Sequence, residues 1–497
     1  MVQRLETVVD TRDAATSTSL RDAIRTSQPE SGGLYVPENG SLPNVSAAEI
    51  QQLVEASYAD TANAILTKFN MGLSPEQLAE VVSGAYGEQW HHPDITPVTT
   101  LKENQNLYLL ELGHGPTLAF KNVGLEFLGR YLDMVNTEML RALGASSGDT
   151  INAAHNATRG RSKLHSIFLL PETGPSDVQM LQALAHDIET AMTILISGDF
   201  DIAQDAIKTF NAPEHHNFKA ENNFISFNSI QILRILTQMV YYFRAYTQLM
   251  KQEVIQNGDE VDFSVPSANF GDALAGHWAR EMGLPIHSIN IATNANDVLH
   301  RFLETGTYTV ELLPSGIRKP ATQTRAPSQD ITVSSNFERA LFWACDGDSS
   351  RVKGWMTQLK ETGSFTVDYG TLTQLRSIFT SSKASDEDIV MAQQWAWQEC
   401  GRLIDPHTAT AVFPFAHGKK PSRPTVCLST AHPIQFSSPD GVPEETQYAD
   451  EVAILRNRKP ESGKHFLRSG TIIHEIHAAV VEAVSILNEG RAPIEDR

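Results

Sequence analysis

Apolar residues recur at helical spacing through Phe120, Val123, Phe127, Leu128, Tyr131 and Val135, so the pattern predicts an amphipathic helix there. A glycine- and proline-bearing run, Gly113-His-Gly-Pro-Thr117, precedes it and predicts a tight loop. Lys121 then stands in the first turn of the helix, beside the apolar stripe. The positive end of the helix dipole and apolar surroundings both disfavour an ammonium at such a place. They favour the neutral, nucleophilic amine that a Schiff-base lysine requires. A surface lysine that snorkels to water satisfies the same pattern, and the stretch alone leaves both readings open.

The strand candidate Leu107–Leu112 leads into that loop, and short apolar runs predict further strands at Ser166–Leu170, Thr193–Ser197 and Thr425–Ser429. Strands alternating with helical segments argue for an open α/β sheet. The clearest unit is 261–293. Phe263-Ser-Val-Pro266 ends a strand, Ser267-Ala-Asn-Phe-Gly-Asp272 is a polar loop, a helix follows to Met282, and Ile286–Ala292 is the next strand. A phosphate would sit at that loop. Neither Gly-x-Gly-x-x-Gly nor a P-loop is present, which argues against a nucleotide. A second small-residue loop, 144–150, also opens a helix; it reads as an anion site or as an ordinary turn and cap. Arg234 falls inside a long helix over 222–246 and reads equally as a partly exposed arginine or an anion ligand.

Residues 1–95 read as mostly helical, with a turn and short strand at 31–38 and helices near 47–68 and 74–84. Ser74 is the expected N-cap of the last, with Pro75 at its first position. Helices are also predicted at 355–360, 369–382 and 386–401, from Asp405 onward, and at 471–488. His474-Glu-Ile-His477 has its histidines three apart, unlike the zinc-protease pattern, and reads as a solvated helix face. Lys419 and Lys420 read as a solvated loop.

The chain has 497 residues, enough for two or three domains, and 41% of them are hydrophobic, as in a soluble globular protein. Its 39 basic and 59 acidic residues give a net charge of −20, which argues against nucleic-acid or anionic-membrane binding. Cys345, Cys400 and Cys427 are far apart, so a reducing compartment and no structural zinc are expected. There is no signal-length or membrane-length apolar run, and a cytoplasmic location is the expectation.

Five separated motifs, in order, resemble the threonine synthase family: His114–Lys121, Ser146–Thr150, Asn228–Arg234, Pro266–Leu274 and Thr430–Pro433. Gly33–Glu38, Ser197–Phe200, Thr293–Phe302, Val333–Arg339 and Asp405–Ala409 support the match, which runs from about residue 20 to 440. The resemblance implies an α/β fold of type II among pyridoxal-phosphate enzymes, like tryptophan synthase β. It implies a mostly helical region at 1–95, a large cofactor-binding α/β domain at 96–140 and 225–440, a small α/β domain at 141–224, and a C-terminal loop and helix at 441–497.

It further implies that Lys121 holds pyridoxal 5'-phosphate as a Schiff base and then shuttles protons. Ala268, Asn269, Phe270, Gly271 and Asp272 would cradle the cofactor phosphate, Thr430 would face the pyridine nitrogen, and Asp149 would lie near the ring. Ser146, Ser147 and Thr150 would bind the substrate carboxylate, with Thr150 near its phosphate. Asn228, Ser229 and Arg234 would complete the phosphate site. The implied reaction is γ-elimination from O-phospho-L-homoserine followed by addition of water at Cβ, giving L-threonine. The implied partner is a small phosphorylated amino acid, with no nucleic acid and no membrane, and the chain is expected as a monomer or homodimer.

The departures gather at the motifs. The family usually carries Lys-Asp where Lys121-Asn122 stands, Gly at Ile151, Gly at Ala268, Asn at Gln231 and Met at Gln329. It has His-Pro-Ala-Lys where His432-Pro-Ile-Gln435 stands. Ala268 adds a Cβ where backbone should approach phosphate, and Gln435 removes a charge that could meet an anion. Three functions follow: a threonine synthase; a relative that shares the vinylglycine-type quinonoid chemistry but ends in a non-protein amino acid; and a non-catalytic binder, against which Lys121 argues.

Overall fold

A computed structural model of the chain describes residues 4–102, 105–146, 148–186, 188–198, 202–203, 206–207, 218, 221–314, 318–458, 466–470 and 472–489. The chain divides into two compact units. The first comprises Met1–His114, Ser229–Pro433 and Ser438–Pro443; the second comprises Gly115–Asn228, Ile434–Ser437 and Glu444–Arg497.

The first unit is built on a six-stranded sheet in the order Phe379–Lys383, Ile286–Thr293, Val261–Pro266, Thr425–Ser429, Leu107–Glu111, Val98–Lys102. Every pairing is parallel except the last. Central strands such as Thr425–Ser429 are buried at every position, as expected of parallel strands covered on both faces. The helix Ile232–Lys251 is buried from Ile232 to Leu249, and so is most of Gly271–Glu281. Phe379–Lys383 corrects the helix expected over 369–382, which stops at Arg376. It is an edge strand whose polar residues, Thr380 to Lys383, are half-buried or exposed, so it lacks the apolar run of a central strand.

The N-terminal region also differs from expectation. It opens with two strands that the pattern did not announce, Thr7–Asp10 and Asp13–Ser19, which the helix Leu20–Thr26 follows; the expected short strand, Tyr35–Val36, pairs with Thr7–Asp10 to complete a three-stranded antiparallel sheet. Asp13–Ser19 is all small and polar apart from two alanines and is largely exposed, so nothing in its pattern announces a strand. The expected helix at 47–68 is two helices, Ala47–Gln52 and Tyr58–Leu66. Ser74 caps Pro75–Ala85 as expected, in a capping box with Gln77.

The second unit holds a parallel five-stranded sheet in the order Phe466–Ser469, Ala191–Ile196, Leu164–Pro171, Leu140–Ala145, Phe224–Ser226. The helix Lys121–Val135 belongs here, not with the large domain as expected. It packs on Asp149–Thr158 so closely that a Cβ on Gly129 would lie 2.4 Å from the Ala157 carbonyl oxygen. The C-terminal helix Ile473–Glu489 is likewise part of this unit's core, burying Ile476, Val480, Ala483, Val484 and Leu487. His477 is therefore buried and bonds the Ala206 carbonyl at 2.9 Å, which corrects its reading as solvated. No group of residues suited to a metal ion occurs among the described residues. Nor is any described helix long and apolar enough to cross a membrane.

Candidate functional site

In the first unit the loop 267–270 runs from a parallel strand into the helix Gly271–Glu281. Phe270 turns the chain with a left-handed φ of 62°, at the N-cap. The first-turn N–H groups have no intrahelical acceptor and make an anion cradle. Asp272 sits in that turn, yet its Oδ1 accepts from Tyr241 at 2.6 Å and Tyr242 at 2.8 Å. Burial and this carboxylate raise both tyrosines well above the ordinary phenol range. Asp272 thus ties two helices together.

A segment that the sequence reading left out of the site set fixes this loop. Ser334 donates to the Ala268 carbonyl at 2.6 Å, and Ser335 donates to Asn269 Oδ1 at 3.1 Å. Asn336 donates to the Asn269 carbonyl from its backbone (3.0 Å) and side chain (2.9 Å), and to the Ser229 carbonyl at 3.1 Å. Arg339, fully buried, donates to the carbonyls of Tyr35 at 2.7 Å and Ile230 at 2.8 Å and to Asn336 Oδ1. Their only signal in the sequence was the supporting match at Val333–Arg339. Ser229 and the loop 268–272 are thereby brought together.

Arg234 lies in the first turn of Ile232–Lys251 and is 3% exposed, so the exposed reading is excluded. Burial lowers its guanidinium to about 10, against a small opposing effect of Tyr241, and it stays charged at neutral pH. Thr430 is buried at the end of the strand Thr425–Ser429, and its backbone N–H donates to Thr408 Oγ1 at 3.3 Å. Thr408 is in turn held by Asp405, which caps Pro406–Ala416.

In the second unit Lys121 is the first residue of its helix, half-buried, with Nζ 3.9 Å from the Phe120 ring centroid. Ser146 Oγ accepts from the N–H groups of Gly148 and Ile151 at 3.1 and 3.2 Å, so it satisfies one first-turn N–H of the helix Asp149–Thr158, whose N-cap is Gly148. Gly148 has φ +144°, and a Cβ there would meet Gln179 at 2.6 Å, so only glycine fits. Asp149 is buried and accepts from Gln179 Nε2 at 2.6 Å. Thr150 and Asn228 are half-buried. Ser147 lies outside the described residues, as do 199–200 of the supporting match at Ser197–Phe200.

Residues 7–86 match the family model described as threonine synthase N terminus. Over 433 residues the chain is 35% identical to threonine synthase of Pseudomonas aeruginosa, covering 86% of this chain and 88% of that protein. The chain belongs to the threonine synthase family. The crystal structure of pyridoxal-phosphate-bound threonine synthase from Brucella melitensis is 34% identical and superposes with a TM-score of 0.85, covering 98% of this chain and all of that one. Yeast threonine synthase superposes with the same score at 29% identity, covering 97% and 99%. The fold is the type II α/β fold that the sequence implied.

Set against the threonine synthase pattern, the departures are mostly interior. Ile151 is fully buried. Gln231 reaches the Ile24 carbonyl at 2.7 Å and Ser27 at 3.0 Å. Gln329 donates to the carbonyls of Ala292 at 2.9 Å and Ser267 at 3.4 Å. Gln435 donates to the Thr117 carbonyl at 2.6 Å. Asn122 Oδ1 accepts from the Thr117 N–H and hydroxyl at 3.1 and 2.8 Å. Ala268 and Ile434 are half-buried.

Proposed function

We propose that this protein is a pyridoxal-phosphate-dependent lyase that converts O-phospho-L-homoserine and water to L-threonine and phosphate. One observation carries the choice among the family-like functions. Asn122, Ile151, Gln231, Gln329 and Gln435 are all under 5% exposed, and each of the four amides bonds a neighbouring backbone or loop group through one of its atoms. Apart from Ala268, in the loop assigned to the cofactor phosphate, this drift is in the scaffold, while Lys121, Thr150, Arg234 and Thr430 are retained.

The residues present fit the cofactor. A helix start would offer N–H groups to its phosphate, the one carboxylate in that turn is engaged by two tyrosines, and Thr430 would offer a neutral hydroxyl to its ring nitrogen. Bound there, the cofactor supplies an electron sink for charge developing along the substrate carbons. The chain supplies the rest. Lys121 would hold the cofactor, and its released amine would move protons one at a time, taking those of Cα and Cβ and returning one at Cγ and, at the end, one at Cα. Arg234 and Ser229 in the first unit and Asn228 and Thr150 in the second are the residues that the resemblance assigns to the phosphate, which leaves Cγ with the C–O bonding pair. Ser146 and the helix start behind it orient the carboxylate, and Asp149 flanks the ring. Water would then deliver hydroxyl to Cβ, its remaining proton going to the released phosphate.

The test is a product assay on cofactor-loaded protein with O-phospho-L-homoserine, reading phosphate and amino acid together. Phosphate with threonine is expected. Phosphate with 2-oxobutyrate or another amino acid would keep the elimination and reassign the ending; no phosphate would sink the substrate assignment.

A further inference from the structure

Asn122 and Gln435 meet on one residue. Asn122 Oδ1 accepts both the N–H and the hydroxyl of Thr117, at 3.1 and 2.8 Å, and Gln435 Nε2 donates to the Thr117 carbonyl at 2.6 Å. Thr117 is itself buried, four residues before Lys121. The three contacts hold its backbone N–H, its carbonyl and its hydroxyl, and so fix the loop that delivers Lys121 to its helix. Asn122 is 0% and Gln435 1% exposed. Each keeps one atom, Asn122 Nδ2 and Gln435 Oε1, without a hydrogen-bond partner among the described residues. An orphaned donor and an orphaned acceptor are what remain when a carboxylate becomes an amide at one position and an ammonium becomes an amide at the other.

The threonine synthase pattern that these motifs resemble usually has a carboxylate at 122 and an ammonium at 435. A carboxylate oxygen accepts from Thr117 as Asn122 Oδ1 does, and an ammonium donates to its carbonyl as Gln435 Nε2 does. The two departures together preserve the three contacts and remove one negative and one positive charge. A buried ion pair and a buried neutral pair are both tolerable, whereas breaking a pair leaves an uncompensated charge. We infer that Asn122 and Gln435 are one coupled unit of positioning residues, a neutral pair standing in for an ion pair, that sets the placement of Lys121 through Thr117.

The inference rests on the assigned role of Lys121 only for the second of its two readouts. Asn122→Asp, Gln435→Lys and the double variant are compared first by melting of cofactor-free protein. Each single variant is expected to melt about 5 °C or more below the parent, since it buries a lone charge, and the double to recover more than half of the summed loss. The second readout is the pH at which the visible absorbance of bound cofactor changes. Asn122→Asp raises it, because a new negative charge beside Lys121 favours the protonated form; Gln435→Lys lowers it, and the double returns it to within about 0.3 unit of the parent. Singles without effect, or single losses that simply add in the double, overturn the pairing. If a single variant does not fold, a folded double supports the pairing and an unfolded double overturns it. If the parent binds no cofactor, the role of Lys121 fails while the melting cycle still decides the pair.

Discussion

Asn336 holds the Asn269 carbonyl oxygen twice, from its backbone N–H at 3.0 Å and its side-chain amide at 2.9 Å. The same amide reaches the Ser229 carbonyl at 3.1 Å. One side chain therefore sets the spacing between the loop assigned to the cofactor phosphate and the loop assigned to the substrate phosphate. Asn336→Asp keeps an acceptor for Arg339 and removes the donor. It is expected to weaken cofactor binding about 10- to 100-fold, since the Ser229 carbonyl loses this donor, the Asn269 carbonyl keeps only the backbone N–H, and both face a carboxylate instead. Titration of cofactor into apo-protein by absorbance measures this, and an unchanged Kd would mean the cradle is held by other bonds.

Arg234 is the test of substrate class. Lysine at this position keeps the charge and loses the planar fork that matches a phosphate. Arg234→Lys is expected to lower kcat/KM for O-phospho-L-homoserine about 10- to 100-fold, mostly through KM. Steady-state kinetics with phosphorylated and unphosphorylated substrate would separate the roles. An equal loss for both substrates would show that Arg234 serves the fold rather than the phosphate.

The helix of Lys121 and the loop at 267–272 were legible in the sequence because period, glycine and polar punctuation all agree there. Asp13–Ser19 and Phe379–Lys383 were not, because each is a strand with little apolar surface, so the pattern that marks a strand is missing. The grouping of Lys121–Val135 with the second unit was not legible either. It depends on Gly129 meeting Ala157, a tertiary contact that no local pattern encodes. His477 misled for a related reason: its own i, i+3 spacing with His474 looked polar, while Ile476 and Val480 beside it carry the helix into the core.

Glu111 ends the strand that leads toward Lys121. Burial alone would raise its carboxyl, but hydrogen bonds with His114 and Thr99 and the charge of Arg402 outweigh this and bring it to about 2. A carboxyl depressed on folding contributes stability that is full above its unfolded value of about 4.5 and is lost as pH falls through about 2. Glu111→Gln is expected to cost about 1–2 kcal/mol at pH 7 and to flatten the loss of stability between those pH values. Melting curves across that range decide it; a parallel pH profile would show that Glu111 is not the group that titrates.

His277 is the opposite case, a base buried among aromatic rings. It is 0% exposed, and neither ring nitrogen has a hydrogen-bond partner among the described residues. Its ring packs edge-on against Trp343 at 4.3 Å and against Phe379 at 5.7 Å. Burial, with a smaller push from Arg280, lowers its pKa to about 3. The unfolded chain takes up that proton near 6.5 and the native state does not, so the contribution is intact above 6.5 and is lost as pH falls toward about 3. At pH 5 the loss amounts to about 2 kcal/mol, from roughly 1.4 kcal/mol per pH unit. His277→Leu removes both the titration and the unbonded nitrogens, so it is expected to match or exceed the parent at pH 7.5 and to gain on it steadily toward pH 4. Chemical denaturation of both proteins at several pH values tests this. A constant difference between them would mean that His277 is protonated at the same pH folded or unfolded, and that its burial has no bearing on acid stability.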